Sequence, residues 1–225
     1  MTMPRPCSSV ARAAGVRAVR VALARRLRLV ASAILLAALA ACASPTPPAD
    51  HFYRLDAVPQ VQPLARPVLP GVLEVSRLDV DGVLTERGLA YQEPDGALAR
   101  YRYDLWSDAP ATALQQALAE TLRSARVADQ VVTPDLRVPP DWSLRGRLFR
   151  FEYLPAQSKV AVRLQLAVVS ARDGALVLMK TYAEDLAVTA PGPEAAVAAL
   201  SRVSSDLFTG FVADLSQASI PPQRR

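Results

Sequence analysis

The sequence predicts an α+β domain: a largely antiparallel sheet with two helices packed on one face, preceded by a signal peptide and a Pro-rich tether. Three observations carry that expectation. Residues 159–170 alternate, with Val160, Val162, Leu164, Leu166 and Val168 on one side and Arg163 and Gln165 on the other, the period of a half-buried strand. Two later stretches change period: Leu114, Ala117, Leu118, Thr121, Leu122 and Ala125, then Val197, Leu200, Val203, Leu207, Phe208, Phe211 and Leu215, recur at helical spacing. Residues 1–41 hold seven arginines and no Asp or Glu.

Along the chain, Arg-rich residues 1–28 lead into an uncharged apolar run over 29–40. Twelve residues are too few to span a bilayer, which takes about 20, but the layout is that of a secretory signal. Arg25-Arg26 just before the run is a weak twin-arginine signature. Residues 44–70 carry seven prolines, so the first part, Ser44 to Asp50, reads as an extended tether. Phe52-Tyr53-Arg54-Leu55 interrupts it with β-prone residues and is expected to be a short edge strand.

Val72, Val75, Leu78 and Val80 predict the first strand of the domain proper. Residues 88–92 and 98–103 flank Glu93-Pro94-Asp95-Gly96, a turn with Pro and Gly where a hairpin wants them. Asp108 is expected to cap a helix with Pro110 in its first turn. A short strand over Val127–Thr133 stops at Pro134, and a meander follows: Trp142–Leu154, Lys159–Ser170 and Ala175–Val188, the last two joined by Arg172-Asp173-Gly174. Pro191-Gly192-Pro193 breaks the chain before the closing helix, 194 to about 217. The expected domains are therefore a signal peptide over 1–41, a lipidated N-terminus and tether over 42–50, the folded domain over 51–217, and a disordered tail over 218–225.

Charge and residue census exclude most chemistries. The net charge is +5, but the seven leader arginines leave 19 basic against 21 acidic residues, a balance of −2, in the rest. Nucleic-acid binding needs a cationic footprint on the folded domain itself, so it is not expected. One histidine, His51, and two cysteines, Cys7 and Cys42, cannot supply a His/Cys zinc site. A nucleophile–histidine pair would have to use His51 beside the tether, and no glycine-rich phosphate loop occurs. The carboxylate pairs Asp79/Asp81 and Glu184/Asp185 read as turn or surface residues rather than an acid–base couple across a cleft. The expectation is a non-enzyme with no cofactor and no metal.

Leu39-Ala40-Ala41-Cys42 resembles the lipobox of bacterial lipoproteins. That resemblance implies cleavage between Ala41 and Cys42, a diacylglyceryl thioether on Cys42, and acylation of the new amino terminus. Each buried CH₂ is worth about 0.8 kcal/mol, and two or more chains hold firmly where one does not. Ala43 at the next position implies sorting to the outer membrane. With Cys42 acylated, the mature chain has no thiol pair to oxidise, so its core alone must hold the fold.

The chain also resembles the ABC-type transport auxiliary lipoproteins. The resemblance rests on the lipobox, Phe52-Tyr53-Arg54-Leu55-Asp56, Leu84-Thr85-Glu86-Arg87-Gly88-Leu89-Ala90-Tyr91, Tyr101-Arg102-Tyr103-Asp104-Leu105-Trp106, and the Gly146/Phe151 strand, in that order. It implies a periplasmic component on the outer membrane, partnering an Mce-domain protein and an ABC permease complex in lipid or organic-compound transport. The alternative is a structural or assembly lipoprotein with no transport role.

Two side-chain roles are expected beside these. Trp106 reads as a core plug, and Arg87 as a surface ion pair with Glu86 or a neighbouring acid. On the strand 144–153, alternation puts Gly146 and Leu148 on one side and Phe149, Phe151 and Tyr153 on the other. Two helices cover only one face of such a sheet, so these aromatics are expected at a homo-oligomer or partner interface. The competing reading is a β-bulge that returns them to the core.

Overall fold

The computed structural model describes residues 48–220. Its strands are β1 (His51–Tyr53), β2 (Leu69–Val75), β3 (Gly88–Gln92), β4 (Leu98–Trp106), β5 (Ala128–Val132), β6 (Trp142–Leu154), β7 (Lys159–Ser170) and β8 (Leu176–Ala187). Helix α1 (Pro110–Ser124) lies between β4 and β5, and α2 (Pro193–Gln217) follows β8. The two helices and eight strands give the α+β class that the change of period predicts.

The sheet is built around β6, whose thirteen residues pair on one side with β7 over nearly its whole length, antiparallel. β8 extends that meander as a second long antiparallel ladder. The other side of β6 is shared. β2 pairs in parallel with residues 142–144, and β3 meets it at Tyr91↔Tyr153. Between them the chain after β2 continues beside β6, with Ser76 and Asp79 donating to the carbonyls of Leu144 and Gly146 at 2.9 Å. The predicted first strand is thus regular only to Val75, although Leu78 beyond it is still buried. β5 adds in parallel to β2, β4 pairs antiparallel with β3, and β1 closes the far edge in parallel with β4.

Core and surface follow the residue pattern closely on β7, where residues 160, 162, 164, 166 and 168 are all buried and Arg163 is exposed. Helix α2 packs on β6, β7 and β8, and α1 on β2 and β5. Trp106, Trp142, Phe151, Phe208 and Phe211 are the largest fully buried side chains of one continuous core. The indole of Trp142 donates to the Pro70 carbonyl at 2.9 Å, which satisfies its N–H where water cannot reach it.

Helix α1 corrects one expectation. Its N-cap is Ala109, without a side-chain cap bond, because Pro110 occupies the first helical position and so places residue 109, not Asp108, at the cap.

Polar ties hold the outer elements. Asp214 of α2 accepts from Lys180 Nζ and from Tyr182 Oη of β8, both at 2.7 Å, and its carboxyl is held below the usual carboxylate range by those donors. Asp141 accepts from the Val72 amide at 3.0 Å and from Arg172, which lowers it likewise. Burial, then Asp214, pushes the Tyr182 phenol above its ordinary value. The lowered carboxylates contribute stability that is complete above about pH 4 and lost as pH falls through their folded values. The raised phenol contributes stability that is complete below about pH 10 and lost above it. Thermal midpoints measured across pH should therefore fall on both sides of a neutral plateau. Asp214→Asn should flatten the acid limb.

Candidate functional site

The aromatic trio of β6 is divided by a bulge. Leu148 pairs with Leu164 and Arg150 with Arg163, so Phe149 is the extra residue and the alternation shifts by one at that point. Phe151 and Tyr153 consequently return to the core, 1% and 2% exposed, and the expectation that they line an interface is wrong. Phe151 lies against Trp106, ring centroids 5.4 Å apart, and Tyr153 Oη accepts from the Gly192 amide at the start of α2. Phe149 alone faces outward, 43% exposed, with the guanidinium groups of Arg147 and Arg163 over its ring.

Other nominated residues fall into place locally. Trp106 is buried, and its Nε1 has no hydrogen-bond partner among the described residues. Arg87 pairs with neither Glu86 nor another acid among the described residues. Arg100 takes that carboxylate, while Arg87 Nε donates to the Trp106 carbonyl at 2.8 Å and the Trp106 amide donates to the Arg87 carbonyl at 2.7 Å. Asp81 pairs with Arg147, and Asp185 with Lys159. His51 Nδ1 lies 3.3 Å from Asp104, which also accepts from Tyr53 Oη. No group of three or more His, Cys, Asp or Glu among the described residues is placed to hold a metal ion. Ala41 and Cys42 lie outside the described residues. Among those described, no helix is long and apolar enough to cross a membrane.

Two surface grooves flank the β1–β4 edge. One, of about 400 Å³, runs between β1 and the start of α1, with Trp106 and Ala117 among its lining and Leu55 and Val58 beside them. The other, of about 520 Å³, is formed by β3, β4 and the Glu86–Arg87 approach to β3, and it brings together Arg87, Arg100 and Arg102 with one carboxylate, Glu86. Tyr101 and Leu105 complete its lining, the Tyr101 ring lying against Tyr91 at 4.6 Å. Gly88 is at this groove because a Cβ there would meet Arg100 Cδ and the Tyr101 carbonyl oxygen at 3.0 Å. Arg87 also sits over the exposed ring of Phe52, 5.3 Å from its centroid, and Arg102 over Tyr103 at 5.4 Å. The sequence signals for this groove were present as two separate segments, 84–91 and 101–106. What joins them is the β3–β4 pairing, with an irregularity between Gly88 and Ala90.

This arrangement defines an α+β domain, its mixed sheet carried on a buried aromatic core, with Arg87, Arg100 and Arg102 lining one solvent-facing groove. The same fold occurs in XCC0632 from Xanthomonas campestris, of the DUF330 family, at TM-score 0.63 and 17% identity over 74% of this chain and 97% of that one. A second solved structure, of an uncharacterized protein, matches at TM-score 0.61 and 16% identity over 75% of this chain and 99% of that one. The chain belongs to the ABC-type transport auxiliary lipoprotein component family, whose model matches residues 53–209, from the end of β1 into α2. None of the curated proteins matches the sequence.

Proposed function

We propose that the protein is a non-enzymatic, lipid-anchored periplasmic component of an Mce-type transport system, docking the outer-membrane end of an assembly that moves lipid or another organic compound. The observation that carries this reading is the family match over residues 53–209, behind a Leu39–Cys42 segment that resembles a lipobox. The ATP-driven step belongs to a separate inner-membrane ATPase, since this sequence contains no phosphate-binding loop of its own. The domain's contribution is binding and positioning, which suits a sheet with solvent-facing grooves.

The anchoring half of the reading has a direct test. Cys42→Ala removes the only thioether acceptor at the lipobox. The folded domain should still accumulate, but it should leave the outer-membrane fraction on sucrose-gradient separation of envelopes. Retention of the unacylated chain in that fraction would contradict the anchor.

A further inference from the structure

Three arginines line the groove between β3 and β4, and among the described residues one of them, Arg100, has a carboxylate partner. Arg100 pairs with Glu86, whereas neither Arg87 nor Arg102 makes an ion pair among the described residues. Arg87 is fixed from behind, because its Nε is spent on the Trp106 carbonyl and its plane lies over Phe52. Its two terminal amino groups remain for a ligand. Guanidinium groups recognise phosphate through paired N–H donors, so positioned arginines around a concave surface match a phosphate oxyanion in shape as well as charge. Gly88 keeps the surface between them low, since a side chain there would press on Arg100.

The groove is also amphipathic. Leu105 is among its lining, and Phe52, 56% exposed, stands beside Arg87. Cations interleaved with exposed aromatics are the composition that sits at a headgroup boundary. Position in the chain adds a constraint. Phe52 follows Cys42 by only ten residues, a span of about 35 Å when fully extended. A second copy of the chain is a poor occupant, because like guanidinium groups would face one another.

We infer that the Arg87–Arg100–Arg102 groove binds the phosphate headgroup of an anionic phospholipid, taken from the leaflet in which the lipid anchor resides. The inference rests on the anchored reading only for the source of the lipid.

The test uses the full-length lipidated protein in a neutral detergent. It is titrated with short-chain phosphatidylglycerol, with short-chain phosphatidylcholine, with inorganic phosphate and with a hexaglutamate peptide. Phosphatidylglycerol should bind at least tenfold more tightly than the other three. Arg100→Gln/Arg102→Gln should weaken it by tenfold or more, without change in thermal midpoint or oligomeric state. Arg102→Gln alone, at an exposed position without an ion pair, gives a partial loss and serves if the double variant does not fold. Equal binding of the two lipids, or phosphatidylglycerol binding untouched by these variants, would overturn the inference. So would inorganic phosphate or hexaglutamate binding as tightly as the lipid, or a change of oligomeric state in the double variant. Because the measurement is made in detergent, its failure leaves the Cys42→Ala fractionation result standing, and the reverse also holds.

Discussion

Phe151→Asp should unfold the domain. The ring is 1% exposed and packs on Trp106, inside the same core as Phe208 and Phe211. Removing a buried phenyl group costs about 3–5 kcal/mol, from lost transfer energy and the cavity left behind. A carboxylate in its place adds the desolvation cost of a buried charge, or else stays protonated as a buried polar group. Total stabilities of single domains are about 5–15 kcal/mol, so the sum removes most or all of the folded population. Circular dichroism melts should show a lost or greatly lowered transition. Phe149→Asp, two positions earlier, is the control. Its ring is outside the core, and the variant should melt within a few degrees of the parent. If the two substitutions behave alike, the bulge between Leu148 and Arg150 is misplaced.

The second large effect is expected at Gly146. Its Cβ would lie 2.7 Å from the Gln165 carbonyl oxygen and from Leu78 Cδ2, and 2.8 Å from Leu166 Cδ2. A leucine can shift, but the carbonyl belongs to the β6–β7 ladder and cannot move without disturbing that pairing. Overpacking of a close-fitted interior costs typically about 1–3 kcal/mol. A β-branched side chain meeting backbone should lie at or above the upper end, so Gly146→Val should lose about 3 kcal/mol or more in urea unfolding. Gly146→Ala should fall below it. A neutral Gly146→Val would mean that the chain following β2 does not lie against β6 at Leu78.

These two residues also show how far a sequence reading reaches. The limits of β6 and β7 were visible to the residue, because alternation is strong and Gly or Pro signals punctuate both ends. The closing helix was equally plain from its apolar stripe and the Pro191-Gly192-Pro193 break. What periodicity could not show was the one-residue insertion at Phe149. A bulge changes no residue type and shifts only the count, so strict alternation put Phe151 and Tyr153 on the wrong face. The parallel pairings of β2 with β5 and β6 are long-range and leave no local mark.

The groove beside β3 and β4 was half legible. Segments 84–91 and 101–106 stood out, yet the partner of each arginine did not, because that depends on the β3–β4 register. Glu86 went to Arg100, and Arg87 to a backbone carbonyl instead. Nearest neighbours in sequence were the wrong pair because successive residues of an extended chain point to opposite sides.

In the proposed function the domain works as the tethered auxiliary of a transport assembly. The most direct measurement is in-envelope crosslinking of the lipoprotein, followed by affinity recovery and mass spectrometry of the linked chains. An Mce-domain protein should be recovered, with its ABC permease, from wild-type envelopes and at much lower yield from Cys42→Ala. Recovery of an outer-membrane assembly protein, with neither transport component in the linked fraction, would contradict it.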